Sequence, residues 1–330
     1  MNTSCKGKRI FVAGLGSIGK RHLAVLHQIG VRCILAYDTE PSVMQSVAAQ
    51  NPWLKLVDSF EEGLEKADAI FILTPPASHI PLAVQAMEKG LDVFCEKPVS
   101  DNDELLDQLR ETIRRTQRKF MVGLCFRFHE GVVRLKTILQ SGELGRVVSI
   151  RSMMGEYFPD VRPDYKRLFS SKYLGALDLM HDIDLAIWFA GQNVRDVVSV
   201  TGSFSDIGIE APDLVELLLE FPDRCVASVH LDYFQRPRRR ELELLCTGGT
   251  AKLEFGSWDE YTLSVFSARE GIWKTVRGQT ARNDMFVEED MHFLDAISGQ
   301  SPILCPLEEG EKSLRVITSV LRSGKSTKEQ

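Results

Sequence analysis

Hydrophobic positions follow two rhythms along this chain, and the change between them marks its organisation. Over residues 1–125, short apolar runs alternate with helix-length segments. The runs are Lys8–Ala13, Cys33–Tyr37, Leu54–Val57, Ala69–Leu73, Asp92–Cys95 and Lys119–Leu124. Between them lie segments of helical spacing: a stretch beginning near Ile18, then Ser42–Gln50, Glu61–Lys66, His79–Lys89 and Asp101–Arg115. Gly90 fits the glycine that follows a helix end. Strands separated by helices predict a parallel, doubly wound sheet and so an α/β class.

The rhythm then changes. A helical segment, Val132–Gln140, precedes strand Val147–Met153 and a loop rich in aromatic and basic residues from Tyr157 to Tyr173. One helix is expected over Leu177–Ala190. From Val197 to Val276, β runs dominate: Val197–Phe204, Leu214–Phe221, Cys225–Leu231, Glu241–Cys246, Thr250–Phe255, Tyr261–Phe266 and Trp273–Val276. Asp223-Arg224 and Gly248-Gly249 look like hairpin turns between them. This region predicts a large, mostly antiparallel sheet in an α+β domain. Helices Met285–Ser298 and Glu308–Leu321 close the chain, and the polar tail Ser323–Gln330 is expected to fray.

Composition narrows the picture without deciding it. A chain of 330 residues suggests about two domains. A net charge of −6 gives no reason to expect nucleic acid or an anionic membrane as partner. No signal-peptide core is present, and no stretch approaches ~20 uninterrupted apolar residues. Seven cysteines are scattered without a C-x-x-C pair, as in a cytoplasmic protein with reduced thiols.

The first apolar run leads directly into Gly14-Leu15-Gly16-Ser17-Ile18-Gly19, and the second ends at Asp38. This is the dinucleotide-binding G-x-G-x-x-G turn in its context of strand, helix, strand and acid. Gly14 allows the tight turn, Gly16 lets the backbone approach a pyrophosphate, and Gly19 lets helix pack on strand. The helix N-terminus offers N–H groups and a positive dipole end to phosphates. Asp38 suits a ribose 2′-hydroxyl and repels a 2′-phosphate, so NAD is expected rather than NADP.

Three further places suggest chemistry, because ligands of open α/β sheets lie beyond the carboxyl ends of the strands. Thr74-Pro75-Pro76, with His79, ends one strand. Glu96-Lys97-Pro98 ends the next, where a lysine can polarise a substrate oxygen or relay its proton. Position alone fits equally a surface lysine paired with Glu96. The third is the Asp178–Asp184 segment. As a helix it places Leu179, Ile183, Ala186, Ile187 and Ala190 on one apolar arc, with Asp178, His181 and Asp182 opposite. A carboxylate one turn from a histidine fixes its tautomer and raises its basicity. Acids decorating a helix N-terminus would look the same. No second histidine or cysteine is well spaced, so no metal site is expected.

Gly14–His22, Thr74-Pro75-Pro76, Glu96-Lys97-Pro98 and Asp178–Asp184 together resemble the Gfo/Idh/MocA oxidoreductases. The resemblance extends to the Thr247–Thr250 turn and the helix around Phe293. It implies an N-terminal Rossmann domain, 1–125, and a C-terminal α+β domain, 126–330, that binds substrate and joins copies into a homodimer or homotetramer. It implies a nicotinamide cofactor and a sugar, polyol or nucleotide-sugar substrate. Lys97 and His181 become the catalytic pair, supported by Asp178. Ser17, Ile18, Thr74, Pro75, His79, Glu96 and Lys97 join the cofactor site, and Arg127 and Tyr165 join the substrate site. The Lys97–Pro98 peptide becomes a candidate cis bond.

The sequence also departs from the family pattern. Only Gly175 remains of a glycine run before the Asp178 segment, acid and histidine stand three apart rather than four, and His129 stands where proline is common. The Asp164–Ser170 loop is similar to that of a sub-branch linked to surface-sugar biosynthesis. A cluster of Arg236, Arg238, Arg239 and Arg240 suits either an anionic substrate group, a neighbouring subunit or a solvated hairpin. The expected activity is NAD-dependent oxidation or reduction at a sugar carbon. Two rivals stand beside it: an NAD(H)-binding sensor without turnover, and NAD-assisted elimination or epimerisation without net redox change.

Overall fold

The computed structural model describes residues 7–162, 164–168, 174–256 and 259–323. Cys5, the Phe169–Tyr173 part of the expected loop, and the tail beyond Ser323 lie outside the described residues.

The first sheet has six strands: β1 (Arg9–Ala13), β2 (Cys33–Tyr37), β3 (Lys55–Leu56), β4 (Ala69–Ile72), β5 (Asp92–Glu96) and β6 (Phe120–Gly123). Their order is β3-β2-β1-β4-β5-β6 and every pairing is parallel. The helices between them are α1 (Ser17–Gln28), α2 (Pro41–Gln50), α3 (Phe60–Lys66), α4 (His79–Glu88) and α5 (Leu106–Thr116). β1, β4 and β6 are buried along their length except at Arg9, as continuous apolar runs in a doubly covered sheet must be. The doubly wound expectation holds, with the dinucleotide-type strand order.

One helix starts later than its pattern suggests. The expected segment began at Asp101, but α5 begins at Leu106. Asn102 Oδ1 accepts the Glu104 N–H at 2.9 Å, so this side chain holds the chain in a turn and delays the helix.

The second sheet has eight strands: β7 (Val147–Gly155), β8 (Asp196–Gly202), β9 (Leu214–Phe221), β10 (Cys225–Asp232), β11 (Arg239–Cys246), β12 (Gly249–Phe255), β13 (Glu260–Ser267) and β14 (Ile272–Gln279). All pairings are antiparallel except β7 with β10. One face packs against α6 (Glu130–Gln140) and α9 (His181–Ala190). β9 alternates buried and exposed residues, as a sheet covered on one side requires. His129 caps α6, its ring accepting the Gly131 N–H at 3.2 Å, so the residue that replaces the family's proline starts a helix. Two short helical turns, α7 (Phe158–Val161) and α8 (Tyr165–Leu168), occupy the described part of the loop.

The last helices are α10 (Asp284–Ile297) and α11 (Leu307–Ser323). The expected division at 125/126 placed both in the C-terminal domain. The chain instead forms one unit from Met1–Phe128 with Asn283–Leu314 and another from His129–Arg282 with Arg315–Gln330. Packing explains the difference. Phe293 of α10 is fully buried, with its ring edge-on to Phe71 at 5.3 Å and to Phe94 at 5.7 Å. Such aromatic pairs add about 0.5–1.5 kcal/mol beyond their burial. Amphipathicity identifies a helix but not the sheet it packs against.

Candidate active site

In the first unit, the loop between β1 and α1 has the shape a dinucleotide needs. Gly14 sits at φ +95°, and a Cβ there would lie 2.6 Å from the Leu73 carbonyl oxygen. A side chain on Gly19 would run into the Gly14 carbonyl. A Cβ on Gly16 would meet nothing within 4 Å, so the space beside the helix start is open. α1 has no side-chain cap and no acid in its first turn, which leaves its N–H groups to an outside acceptor. Gly16 and Ser17 are exposed and Ile18 is half-buried, at the mouth of this cradle. Asp38 follows β2. Its Oδ2 accepts the Leu15 N–H at 2.7 Å and its Oδ1 the Glu40 N–H at 3.0 Å.

Two neighbouring strand ends are tied together by His79. Its Nδ1 lies 2.8 Å from the Pro98 carbonyl oxygen and its Nε2 lies 2.7 Å from that of Thr74. The ring is buried, and burial pushes its pKa down. His79 was expected among the cofactor contacts; both ring nitrogens are taken by backbone, so its side chain shapes the loops instead. Thr74 is half-buried and shares a 2.7 Å hydrogen bond with Ser78, while Pro75 is exposed at the tip. The Lys97–Pro98 peptide is cis. The Lys97 N–H donates to Glu96 Oε2 at 2.9 Å, and the lysine is half-buried. Gly14, Asp38, Thr74 and Lys97 thus belong to the carboxyl-end loops of one sheet.

Arg127 differs from expectation. It is 1% exposed and pairs with Glu309 at 2.9 Å within the same unit, so it stabilises the fold rather than facing a substrate.

In the second unit, Asp178 and His181 do not share one continuous helix. A 3-10 turn covers Gly175–Leu179, and α9 starts at His181. The start of this turn is pinned from outside it. Leu174 and Gly175 have positive φ, the Ala176 N–H bonds the Pro212 carbonyl at 2.8 Å, and the Tyr233 hydroxyl bonds the Gly175 carbonyl at 2.7 Å. Asp178 and His181 are both half-buried at this junction. Asp182 is not on an open face with them: it is 1% exposed and paired with Arg240 at 2.6 Å. Tyr165 donates its hydroxyl to the Ile207 carbonyl at 2.9 Å.

The arginine cluster is engaged within this unit. Arg238 lies just before β11 and is half-buried, while Arg240, inside the strand, is buried. Arg240 holds Asp182, Arg239 holds Glu241, and Arg236 stacks over the Tyr157 ring at 3.1 Å. Arg238 donates to the Gly256 carbonyl at 3.2 Å, and its Nε lies 3.6 Å from Glu156 Oε2. Glu156, directly after β7, is 5% exposed, and burial raises its pKa. Sequence reasoning missed it; only its place at a strand end gave a signal. A cavity of about 870 Å³ is lined by Arg238, Arg239 and Arg277 but also by Glu241, Glu254 and Glu260, so its charge is mixed.

Sequence reasoning also passed over Glu289 and Asp290, which lie fully buried beside His22 in the first unit. The ligand atoms of these three lie within 4.8 Å of one another. Among the described residues, no helix is long and apolar enough to cross a membrane.

Comparison with known proteins agrees with this geometry. Residues 8–124 match the family model described as "Oxidoreductase family, NAD-binding Rossmann fold", and residues 132–252 match the "GFO/IDH/MocA C-terminal domain". Inositol 2-dehydrogenase of Corynebacterium glutamicum is 26% identical over 223 residues, which are 65% of this chain and 64% of that protein. The match therefore spans under two thirds of that relative's length. Among solved structures, UDP-N-acetylglucosamine 3-dehydrogenase from Acidithiobacillus ferrooxidans superposes with a TM-score of 0.82 at 22% identity, covering 96% of this chain and 97% of that one. Levoglucosan dehydrogenase, in complex with NADH and levoglucosan, superposes with a TM-score of 0.84 at 17% identity, covering 96% and 97%. At such identities the structural likeness speaks for the fold.

Proposed function

The chain belongs to the Gfo/Idh/MocA oxidoreductase family, with an NAD-binding Rossmann domain at its N-terminal end, and from this premise we propose that it oxidises a hydroxyl of a sugar or polyol, or reduces the matching ketone. The observation that carries the reading is a lysine and a dinucleotide cradle on the carboxyl-end loops of one sheet: Lys97 at a cis turn, and Gly14, Gly16, Gly19 and Asp38 around open space. NAD, when bound, supplies the hydride acceptor or donor. The N–H groups at the start of α1 would hold its pyrophosphate, and Asp38 would hold its adenosine ribose.

The chain's own work is orientation and proton handling. His181 takes the proton of the substrate hydroxyl, assisted by Lys97, and returns it in the reverse direction. Asp178, three residues earlier, orients the imidazole. Tyr165 lends its ring to the substrate site, its hydroxyl being held by Ile207.

The partner is a second copy of the chain. The uncovered face of the second sheet carries Val198, 61% exposed, and Leu218, 58% exposed, side by side in register, with Val200 and Val226 nearby. Such apolar exposure suits a self-association surface, and light scattering at a dimer or tetramer mass is the expected result.

The activity is tested by incubating the protein and NAD with myo-inositol, levoglucosan and UDP-N-acetylglucosamine in turn. Growth of the reduced-nicotinamide absorbance with one of them is expected. Tight NADH binding with no turnover of any contradicts the reading and favours a sensor.

A further inference from the structure

Four ionisable side chains lie in the interior of the first unit, and of them only Glu96 was expected among the cofactor contacts. His22, Glu289 and Asp290 are 0% exposed and Glu96 is 7% exposed. His22 comes from α1, the helix that begins at the glycine turn. Glu96 ends β5 and precedes Lys97. Glu289 and Asp290 come from α10, far along the chain. The His22 ring is walled by Phe71, Phe94 and Phe286, with centroids 5.8, 5.2 and 5.5 Å away.

The hydrogen bonds run in one line towards Lys97. His22 Nδ1 lies 2.8 Å from Asp290 Oδ1, and Nε2 lies 3.4 Å from Glu96 Oε1. The other oxygen of Glu96 accepts the Lys97 N–H at 2.9 Å. β6 leaves room for this carboxyl: a Cβ on Gly123 would sit 3.2 Å from Glu96 Oε1. A neutral imidazole donates only one hydrogen bond, so with both facing carboxyls ionised the imidazolium is the form that serves each of them. Burial opposes that charge, but Asp290 and then Glu96 outweigh burial and raise the His22 pKa to about 10. Burial also pushes the Glu289 pKa well up. A metal ion among His22, Glu289 and Asp290 would have to displace a carboxyl from an imidazole nitrogen; a protonated ring satisfies both as placed.

We propose that His22 is a positioning residue that, anchored by Asp290, acts through Glu96 to fix the turn presenting Lys97. This rests on the reading of Lys97 as a proton-handling group.

The test uses the full-length protein labelled with ¹⁵N-lysine, with the Lys97 amide peak identified by its loss in Lys97→Met. His22→Gln should move that peak, lower kcat by about 10- to 100-fold, as outer-shell partners do, and leave the NADH Kd within about threefold. kcat is measured with NAD and the sugar oxidised in the screen above. Glu96→Gln should lower kcat similarly, and the double variant should lose little more than either single one, since both act through one line. If His22→Gln does not fold, the isosteric Asp290→Asn carries the same measurements. An unmoved Lys97 peak overturns the proposal. So does unchanged kcat, or losses that multiply in the double variant, while Lys97→Met is inactive. If Lys97→Met itself turns over at the parent rate, the reading of Lys97 has failed, and the peak position alone decides whether His22 fixes the turn.

Discussion

The guanidinium of Arg240 holds the carboxylate of Asp182 through two contacts, Nη2 to Oδ2 at 2.6 Å and Nε to Oδ1 at 3.3 Å, with both side chains buried. Ser152 donates to the same carboxylate at 3.2 Å. β11 and β7 thereby grip the first turn of α9, one residue after His181.

Removing one partner of a buried pair leaves a charge uncompensated and costs about 3–5 kcal/mol. Arg240→Met should therefore lower the melting temperature by more than about 6 °C. Arg240→Met with Asp182→Leu should lose less than the sum of the single changes. Thermal unfolding of the three variants checks this; additive losses would show that the two side chains do not interact.

Stability should fall as pH rises above neutrality. His22 is raised to about 10 by Asp290 and Glu96 against its burial, and His230 to about 9 by its bond to Asp232, against burial and with help from Glu216. A histidine raised above its unfolded value of about 6.5 stabilises fully below that value and loses its contribution as pH climbs through the folded value. Burial of the Glu289 acid works in the same direction, since its ionisation opposes the fold. The melting temperature should drop by on the order of 5 °C or more between pH 6.5 and 10. His230→Gln should lessen the slope between about pH 6.5 and 9, and His22→Gln should lessen it over the whole span from about 6.5 to 10. A flat profile would contradict the assignment.

Much of the first unit was legible because each of its signals is local. The glycine turn, the acid ending β2 and the alternation of apolar runs with helices each need only neighbouring residues, and they led to the parallel, doubly wound sheet. What was not legible depends on distant partners. A helical wheel placed Asp182 with His181 on an open arc; its partner Arg240 lies 58 residues away in sequence. Arg127 resembled a substrate contact, and its partner Glu309 is 182 residues on. The turn that carries Asp178 is pinned at Gly175 and Ala176 by bonds to Tyr233 and Pro212, which no local periodicity records.

Asp38 should set the cofactor preference. Its carboxylate is held in place by the Leu15 and Glu40 N–H groups, and neither Thr39 nor Glu40 offers a positive charge to a 2′-phosphate. Calorimetry should find NADH bound at least about tenfold more tightly than NADPH, the equivalent of about 1.4 kcal/mol. Asp38→Ala should narrow the gap by weakening NADH and relieving the repulsion of NADPH. Tighter NADPH binding by the parent protein would overturn the assignment.

The central claim is that Lys97 assists His181 with the substrate proton, while the glycine turn and Asp38 carry most of the NAD affinity. Its most direct test is kcat for Lys97→Met measured beside its NADH affinity. The account predicts a fall in kcat of about 10²- to 10⁴-fold, the range for a proton-transfer group, with the NADH Kd within about threefold of the parent. Turnover at the parent rate by Lys97→Met would contradict it.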